Sequence, residues 1–284
     1  MDTIRSRKIV SLLENDSEFR SATNHQIRSD HGALVENYPD LVEKVAQLSF
    51  YNPEHVLFFR GQTTEYSNSR GNASIKPSIF RSATGTRPPD SFELARRYEI
   101  LARADQILAD EFSRSRFLGR QRIVRHRLLR WAILQHYELC GTPLVDVTHS
   151  LRVAASFATN DAADTDPVVY VLAVPSISGS VSASSEQGIQ TIRLSSICPP
   201  EARRPYFQEG YLLAEYPDLA SIHEKEKYRP HEIDFGRRVI AKFRLPRIDF
   251  WSRDYTAIPN EALYPNERDP LVNFSEKIRS QLTG

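Results

Sequence analysis

The chain has 284 residues, of which 40% are hydrophobic and 26% are charged, and its formal net charge is +1. This composition is typical of a globular protein with one large or two small domains, and the near-zero charge argues against a protein that coats nucleic acid over its whole surface. Cys140 and Cys198 are the only cysteines, and their spacing predicts neither a disulfide scaffold nor a metal site. Because no apolar run approaches the roughly 18 residues of a membrane span and no cleavable signal pattern opens the sequence, we expect a cytoplasmic protein without a membrane partner.

Apolar residues recur at roughly helical spacing through residues 1–50, which predicts a helical N-terminal extension. Residues 51–284 are expected to form the main domain, including a C-terminal strand and helix. Near its start lies Val56–Gln62, with the sequence VLFFRGQ, in which four apolar residues precede an arginine, a glycine and an amide. This run predicts a buried strand that ends at a loop and places Arg60 at the edge of the core.

Arg60 has two interpretations. Its planar guanidinium suits phosphate or carboxylate, and Gly61 beside it would let a ligand approach the backbone closely. Alternatively, Arg60 pairs with a carboxylate of the protein and only holds a loop in place.

Two helices are predicted next, one from Asp90 or Ser91 to about Phe112 and one from about Gly119 to Cys140. One face of the second helix is apolar, and the opposite face has the arginines Arg120, Arg122, Arg125 and Arg127. Such a run is typical of a solvated helix face, and the alternative is a surface that binds the phosphates of a nucleic acid or nucleotide. His136 and Tyr137 end this helix, and His136 is either a core histidine or a general base.

A short strand is predicted over Leu144–Thr148, and alternation along it places Asp146 and Thr148 on one side. A helix begins just after them, so both residues lie where a strand end meets a helix N-terminus, a corner that tolerates anions. We expect Asp146 to orient its neighbours, Thr148 or an arginine, and not to act as a nucleophile.

Later segments complete the predicted architecture. Strands are predicted at Val168–Val174, Thr191–Leu194, Pro205–Glu215 and Phe235–Leu245, and a final helix over Asp269–Leu282. Gln208 and Glu209 precede Gly210 in the third of these strands, and we expect that glycine to mark either a bulge or a close approach to the backbone. Short strands scattered among long helices, without regular βαβ alternation, predict an α+β fold with a mixed β-sheet core wrapped by helices.

Four segments, in the same order, resemble the FRG domain family. They are FFRGQ (Phe58–Gln62), KPSIFR (Lys76–Arg81), LQHYELCGTPLVDVTHSLRVAASFA (Leu134–Ala158) and PYFQEGY (Pro205–Tyr211). That family is named for its Phe-Arg-Gly triplet, and it has a PS-x-x-R segment, an AQHYG-x-P-T-x-LLD-x-T block and a late Q-x-G-x-F. The sequence departs from this pattern at Leu134, at the extra residue of Cys140-Gly141, at Val147 and at Arg152.

The order of an arginine strand, a hydroxyl strand and a late amide or acid resembles, in pattern, the motif of ADP-ribosyltransferases of the arginine–serine–glutamate type. This resemblance implies an ADP-ribosyltransferase-like sheet and NAD as the substrate. It assigns Arg60 to NAD phosphate or ribose, Thr148 to the nicotinamide ribose, and Gln208 to that ribose and the acceptor. Glu209 is a further catalytic candidate, and the candidate NAD-binding residues beside Arg60 are Gly61, Gln62, His136, Tyr137 and Asp146.

Two alternatives belong to other classes of protein. A glutamine at position 208 has no charge to balance a cationic transition state, so ADP-ribosyl transfer or NAD hydrolysis would be narrow in acceptor or absent. The chain would then be a noncatalytic module that senses a nucleotide through Arg60. The other alternative is a domain that interacts with nucleic acid through Arg120, Arg122, Arg125 and Arg127.

Overall fold

A computed structural model describes residues 1–4, 9–82, 88–160, 166–176, 178–218 and 233–283. The strands are β1 (Val10–Ser11), β2 (Arg20–Ser21), β3 (Ala33–Leu34), β4 (Val56–Gln62), β5 (Val145–Thr148), β6 (Val168–Val174), β7 (Val181–Ser184), β8 (Ile189–Arg193), β9 (Gly210–Glu215) and β10 (Val239–Arg244). The α-helices are α1 (Asn24–Ser29), α2 (Tyr38–Tyr51), α3 (Ser91–Arg114), α4 (Arg120–Arg125), α5 (Arg127–His136), α6 (Leu151–Thr159), α7 (Leu194–Ile197), α8 (Arg204–Phe207), α9 (Asn260–Leu263) and α10 (Pro270–Thr283). Among the helices of these ranges, none has both the length and the apolar character needed to cross a membrane.

The main sheet has eight strands in the order β3-β10-β6-β4-β5-β9-β8-β7, and β1 pairs with β2 alone. β3 runs parallel to β10, and the other neighbouring strands of the main sheet are antiparallel. The sheet is therefore mixed and the fold is α+β, which confirms the predicted fold class at this level.

The centre of the sheet follows from two apolar runs in the sequence. Every residue of β6 is buried, and β4 pairs with it along its whole length, from Val56 opposite Val174 to Gln62 opposite Val168. A strand that is covered on both faces is expected to be apolar throughout. Because β4 lies between β6 and β5, Arg60 lies near the middle of the sheet and not at its outer edge.

Gly61 is required by the packing of α6 on β4. A Cβ atom at this position would lie 1.7 Å from the carbonyl oxygen of Ala154 in α6. Rotating a side chain cannot relieve this contact, because the backbone fixes the position of a Cβ atom and the Ala154 oxygen belongs to the backbone. Alternation along β4 then places Arg60 and Gln62 on the face opposite α6.

The N-terminal residues are more than a helical extension. α1 and α2 are helical as expected, but residues 1–50 also contain β1, β2 and β3, and β3 joins the main sheet beside β10. The missed strands have two residues each, which is too short for alternation to be visible in the sequence.

Three other element predictions need correction. The helix expected from Gly119 to Cys140 is two helices, because the backbone is extended at His126, and the second helix ends at His136. The segment Pro205–Glu215 begins as α8, with Pro205 in its first turn, a position that proline favours, and becomes a strand only at Gly210. The strand expected from Phe235 starts at Val239, after a 3₁₀ turn over Phe235–Arg238.

Candidate functional site

A cleft of about 610 Å³ opens where β4, β5 and the start of β9 lie side by side. Phe59 pairs with Thr148, and Thr148 pairs with Gly210, so the three strands are aligned at this level. The cleft is lined by these residues predicted from the sequence: Arg60, Gly61, Gln62, His136, Asp146, Thr148 and Gln208. The three chain segments that contain these residues therefore meet in one cleft.

The Arg60 guanidinium has one hydrogen bond in the described part of the chain. Its Nη1 donates to the carbonyl oxygen of Asp146 at 2.6 Å, and its buried Nε has no acceptor. Burial lowers the pKa of Arg60, the nearby charge of Arg81 lowers it further, and the Asp146 carboxylate acts in the opposite direction. Arginine remains charged in proteins in spite of such shifts. Since no described carboxylate forms an ion pair with Arg60, the structure does not support the loop-holding ion pair as its role.

Asp146 is held by the two residues that end α5. Its Oδ2 accepts a hydrogen bond from Gln135 Nε2 at 2.7 Å, and its Oδ1 lies 3.2 Å from His136 Nδ1. Burial raises the pKa of Asp146, but the hydrogen bonds from His136 and Gln135 and the charge of Arg60 lower it to about 2. The side chain is still 38% exposed toward the cleft. Asp146 therefore presents a permanent negative charge there.

His136 is buried and neutral. Burial lowers its pKa, and the hydrogen bond to Asp146 offsets only part of this effect. With Nδ1–H donating to Asp146, Nε2 has no proton, and it has no partner among the described residues. The side chain is only 1% exposed, so His136 orients Asp146 from inside the protein.

Thr148 and Gln208 line the cleft, but the Thr148 hydroxyl and the Gln208 amide nitrogen already have partners within the protein. Thr148 Oγ1 donates to the Gln208 carbonyl oxygen at 2.8 Å and accepts from the backbone N–H of Ser150 at 3.0 Å. Gln208 Nε2 donates to the carbonyl oxygen of Leu263 in α9 at 2.9 Å. These bonds therefore join β5, the end of α8 and α9, and the Thr148 hydroxyl has no proton left to donate to a ligand.

Glu209 and Tyr137 lie outside the cleft lining. Glu209 is exposed in the turn between α8 and β9, with a φ of 43° in the left-handed region. The expected strand bulge at Gly210 is absent, because that residue is the first of β9. The Tyr137 hydroxyl donates to Asp269 Oδ2 at 2.8 Å, a structural contact behind the site.

The cleft lining also includes residues that were not predicted from the sequence as parts of the site, among them Tyr66, Arg81, Arg204 and Tyr264. Arg204 is 4.6 Å from the centre of the Tyr264 ring, and its Nη2 donates to Glu138 Oε1 at 2.8 Å. Its buried Nε has no acceptor in the described chain. Arg81 ends the KPSIFR segment, so its place in a motif was an available signal for this residue. Arg204 directly precedes PYFQEGY, and no pattern in the sequence distinguishes it.

Neither a reactive cysteine nor a metal site is found in the cleft among the described residues. Cys140 lines it, but burial raises the pKa of its thiol to about 12, so the sulfur stays protonated. Within the described ranges, no three His, Cys, Asp or Glu side chains are grouped so that they could hold a metal ion.

The arginines of α4 and α5 lie away from the cleft lining. Arg122 Nη2 donates to the carbonyl oxygens of Ser196 and Ile197 at 3.0 and 3.3 Å. Arg127 forms an ion pair with Asp218 at 2.7 Å. Four arginines were the alternative candidates for binding phosphates. Arg122 and Arg127 have partners within the protein, whereas Arg120 and Arg125 are exposed.

Residues 55–167 match the family model of the FRG domain. The chain thus contains an FRG domain, and the matched range includes Arg60, His136, Asp146 and Thr148, whereas Gln208 lies beyond it. In the comparisons with curated proteins and with solved structures, nothing matches the chain.

Proposed function

We propose that the FRG domain of this chain binds NAD in the cleft and cleaves the bond between nicotinamide and ribose, as an ADP-ribosyltransferase-like enzyme or NAD glycohydrolase. The observation that carries the proposal is that the Arg60 guanidinium has few partners within the protein. Its guanidinium is held in the cleft wall by a single hydrogen bond to a carbonyl, with no carboxylate paired to it in the described chain. The Asp146 carboxylate is near enough to favour the charged form of Arg60 but forms no ion pair with it, so a phosphate ligand would supply the direct charged partner that this guanidinium lacks in the described chain.

The charges around Arg60 favour a diphosphate. Arg81 and Arg204 line the same cleft, and the charge of Arg81 is close enough to lower the pKa of Arg60. Like charges destabilise each other when they share a site. A pyrophosphate has two negative charges and oxygen atoms that match the planar fork of arginine, so it would relieve this repulsion.

Two further groups suit the remaining parts of a dinucleotide. Tyr66 is 60% exposed on the cleft wall, and its ring offers a face for stacking a base. Gln62 Oε1 is buried and receives no hydrogen bond from the described residues. A ribose hydroxyl or an amide N–H of the ligand would satisfy it.

In the proposed reaction, the Asp146 carboxylate stabilises the positive charge that develops on the ribose. When the glycosidic bond breaks, its electron pair leaves with nicotinamide, which becomes neutral, and positive charge develops on the ribose. A carboxylate that is ionised before the reaction and held by Gln135 and His136 stabilises that charge without reorganising. Water or an acceptor hydroxyl then adds to the ribose C1′ and releases its proton, so Asp146 need not act as a nucleophile.

A second candidate function is a nucleotide sensor without turnover. The observation that favours it is that Thr148 and Gln208 already donate hydrogen bonds within the protein. The Thr148 hydroxyl donates to the Gln208 carbonyl oxygen, and one amide N–H of Gln208 donates to the Leu263 carbonyl oxygen, so neither donor is free to position a ribose. Both candidates share the binding step and differ in whether nicotinamide is released.

Asp146→Asn tests the enzymatic proposal against a matched variant. Glu138→Gln removes the charge of the other carboxylate that lines the cleft, whose side chain is 68% exposed and paired with Arg204. We expect chromatography to show nicotinamide release by the wild type, a loss of about 100-fold in Asp146→Asn, and a small change in Glu138→Gln. Saturable NAD binding in calorimetry without released nicotinamide would select the sensor, and absence of NAD binding would refute both candidates.

A further inference from the structure

We propose that an arginine surface formed by Arg116, Arg120 and Arg125 binds the phosphate backbone of a nucleic acid. All three residues are exposed, and none of their guanidinium groups has an ion-pair or hydrogen-bond partner in the described chain. The proposal goes beyond the NAD cleft, because none of these residues lines it.

The surface belongs to a segment of unusual composition. Seven arginines lie between Arg114 and Arg130, and the segment contains no aspartate, glutamate or lysine. The whole chain has a formal net charge of only +1, so the positive charge is concentrated locally. Such a concentration creates a positive potential that attracts polyanions.

Internal contacts account for the other four arginines of this segment. Arg130 pairs with Asp105, and Arg127 pairs with Asp218. Arg122 donates to two backbone carbonyls, and Arg114 lies 3.6 Å from Glu111. The folded structure therefore uses these four arginines and leaves the guanidinium groups of the arginine surface without partners.

Helix stability does not explain the position of Arg120. It is the first residue of α4, where the helix dipole disfavours a positive side chain. The positive charge of Arg120 therefore does not stabilise α4, which leaves ligand binding as the use that we propose for it. The guanidinium group is also the cation best suited to phosphate, because it donates two parallel hydrogen bonds to two oxygens.

A shallow groove beside these residues fits a nucleic acid better than a protein partner. The groove has a volume of about 540 Å³, and its lining residues are Ser113, Arg120, Gln121, Val124 and Arg125. Only Val124 is apolar, whereas the core of a protein–protein interface is enriched in aromatic and other apolar residues. Arginine and glutamine are side chains that contact phosphates and base edges.

The arginine surface and the cleft can be tested separately. α5 has ten residues and is therefore about 15 Å long. It starts just after α4 and ends at His136 in the cleft wall, so it separates α4 from the cleft. Variants of exposed arginines on one side of this helix are not expected to change ligand binding on the other.

The experiment measures binding of a fluorescent single-stranded oligonucleotide by anisotropy. The test variant is Arg116→Gln, Arg120→Gln and Arg125→Gln combined. The control variant combines Arg96→Gln, Arg253→Gln and Arg268→Gln, three exposed arginines elsewhere, and removes the same charge. Thermal melts establish that both variants fold, and the thermal shift with NAD reports the proposed function independently.

For three phosphate contacts we expect the wild-type association constant to fall about 20-fold between about 50 and 200 mM salt. The test variant should lose most of the binding and of its salt dependence, while the control variant retains both. The proposal is overturned if the wild type does not bind, if both variants weaken equally, or if the test variant binds as the wild type does. Equal binding of polyglutamate by the wild type would also overturn it, because the surface would then select acidic polymers in general.

Discussion

Replacing Arg60 by alanine separates a ligand-binding role from a structural one. The side chain donates one hydrogen bond, to the Asp146 carbonyl, and such a bond from a charged donor contributes about 1.5–3 kcal/mol. Its removal also relieves the burial of an unpaired charge and the repulsion from Arg81, which offsets part of the loss. We therefore expect the free energy of unfolding of the apo protein to fall by about 1 kcal/mol, or about 2 °C in Tm.

The effect on ligand binding should be larger. NAD at about 100 times its Kd stabilises the wild type by about 2.7 kcal/mol, which corresponds to a rise of about 5 °C in Tm. Arg60→Ala should show no such rise, and Arg60→Lys should recover less than half of it, because an ammonium group lacks the two-pronged contact. Differential scanning fluorimetry with and without NAD measures both effects.

A control variant completes this test. Arg253→Ala removes an exposed arginine that does not line the cleft, and it should keep both the wild-type Tm and the NAD shift. Breaking a buried ion pair would instead cost about 3–5 kcal/mol in the apo protein. The reasoning is refuted if apo Arg60→Ala loses that much stability, or if NAD still raises its Tm by the wild-type amount.

Gly61→Ala should destabilise the fold by about 3 kcal/mol in urea unfolding, because its Cβ would overlap the Ala154 carbonyl oxygen. The wild type should lose stability as the pH falls from 7 to 5, because burial lowers the pKa of His136 and the unfolded chain takes up the proton first below about pH 6.5. His136→Asn should reduce this pH dependence, measured by urea unfolding at both pH values, and the remainder comes from groups such as His55 and His149, whose pKa burial also lowers. Glu65→Gln should cost about 3 kcal/mol in the same assay, because it leaves Lys242, whose side chain is 1% exposed, without its carboxylate at 2.7 Å.

Each of these predictions has a matched control in an exposed position. Gly71→Ala meets no atom within 4 Å, and its φ of 75° should cost only about 1 kcal/mol. His25→Asn replaces an exposed histidine and should leave the free energy of unfolding at pH 7 within about 0.5 kcal/mol of the wild type. Glu36→Gln removes an exposed carboxylate and should change stability by less than about 0.5 kcal/mol. Equal effects in a variant and its control would contradict the corresponding structural assignment.

Local patterns in the sequence were sufficient for the central elements. The continuous apolar runs at Val56 and Val168 predicted β4 and β6, because a strand covered on both faces has no polar positions. Arg60, which follows the first of these runs, lines the cleft together with Asp146 of β5. Elements without a sustained period, such as the two-residue β3 and the single-turn α8, could not be predicted in this way.

The sequence by itself identified the ordered segments of an FRG domain and the residues proposed as its site, namely an arginine that follows an apolar run and a carboxylate two residues before a hydroxyl. Only the tertiary structure decided which of their atoms are available. Thr148 and Gln208 are occupied by contacts with each other and with α9, while Arg204, which no pattern singled out, joins the cleft. The reason is physical: hydrogen-bond partners of these groups come from segments far apart in the chain, and periodicity reports which face a side chain occupies but not which atom it meets there.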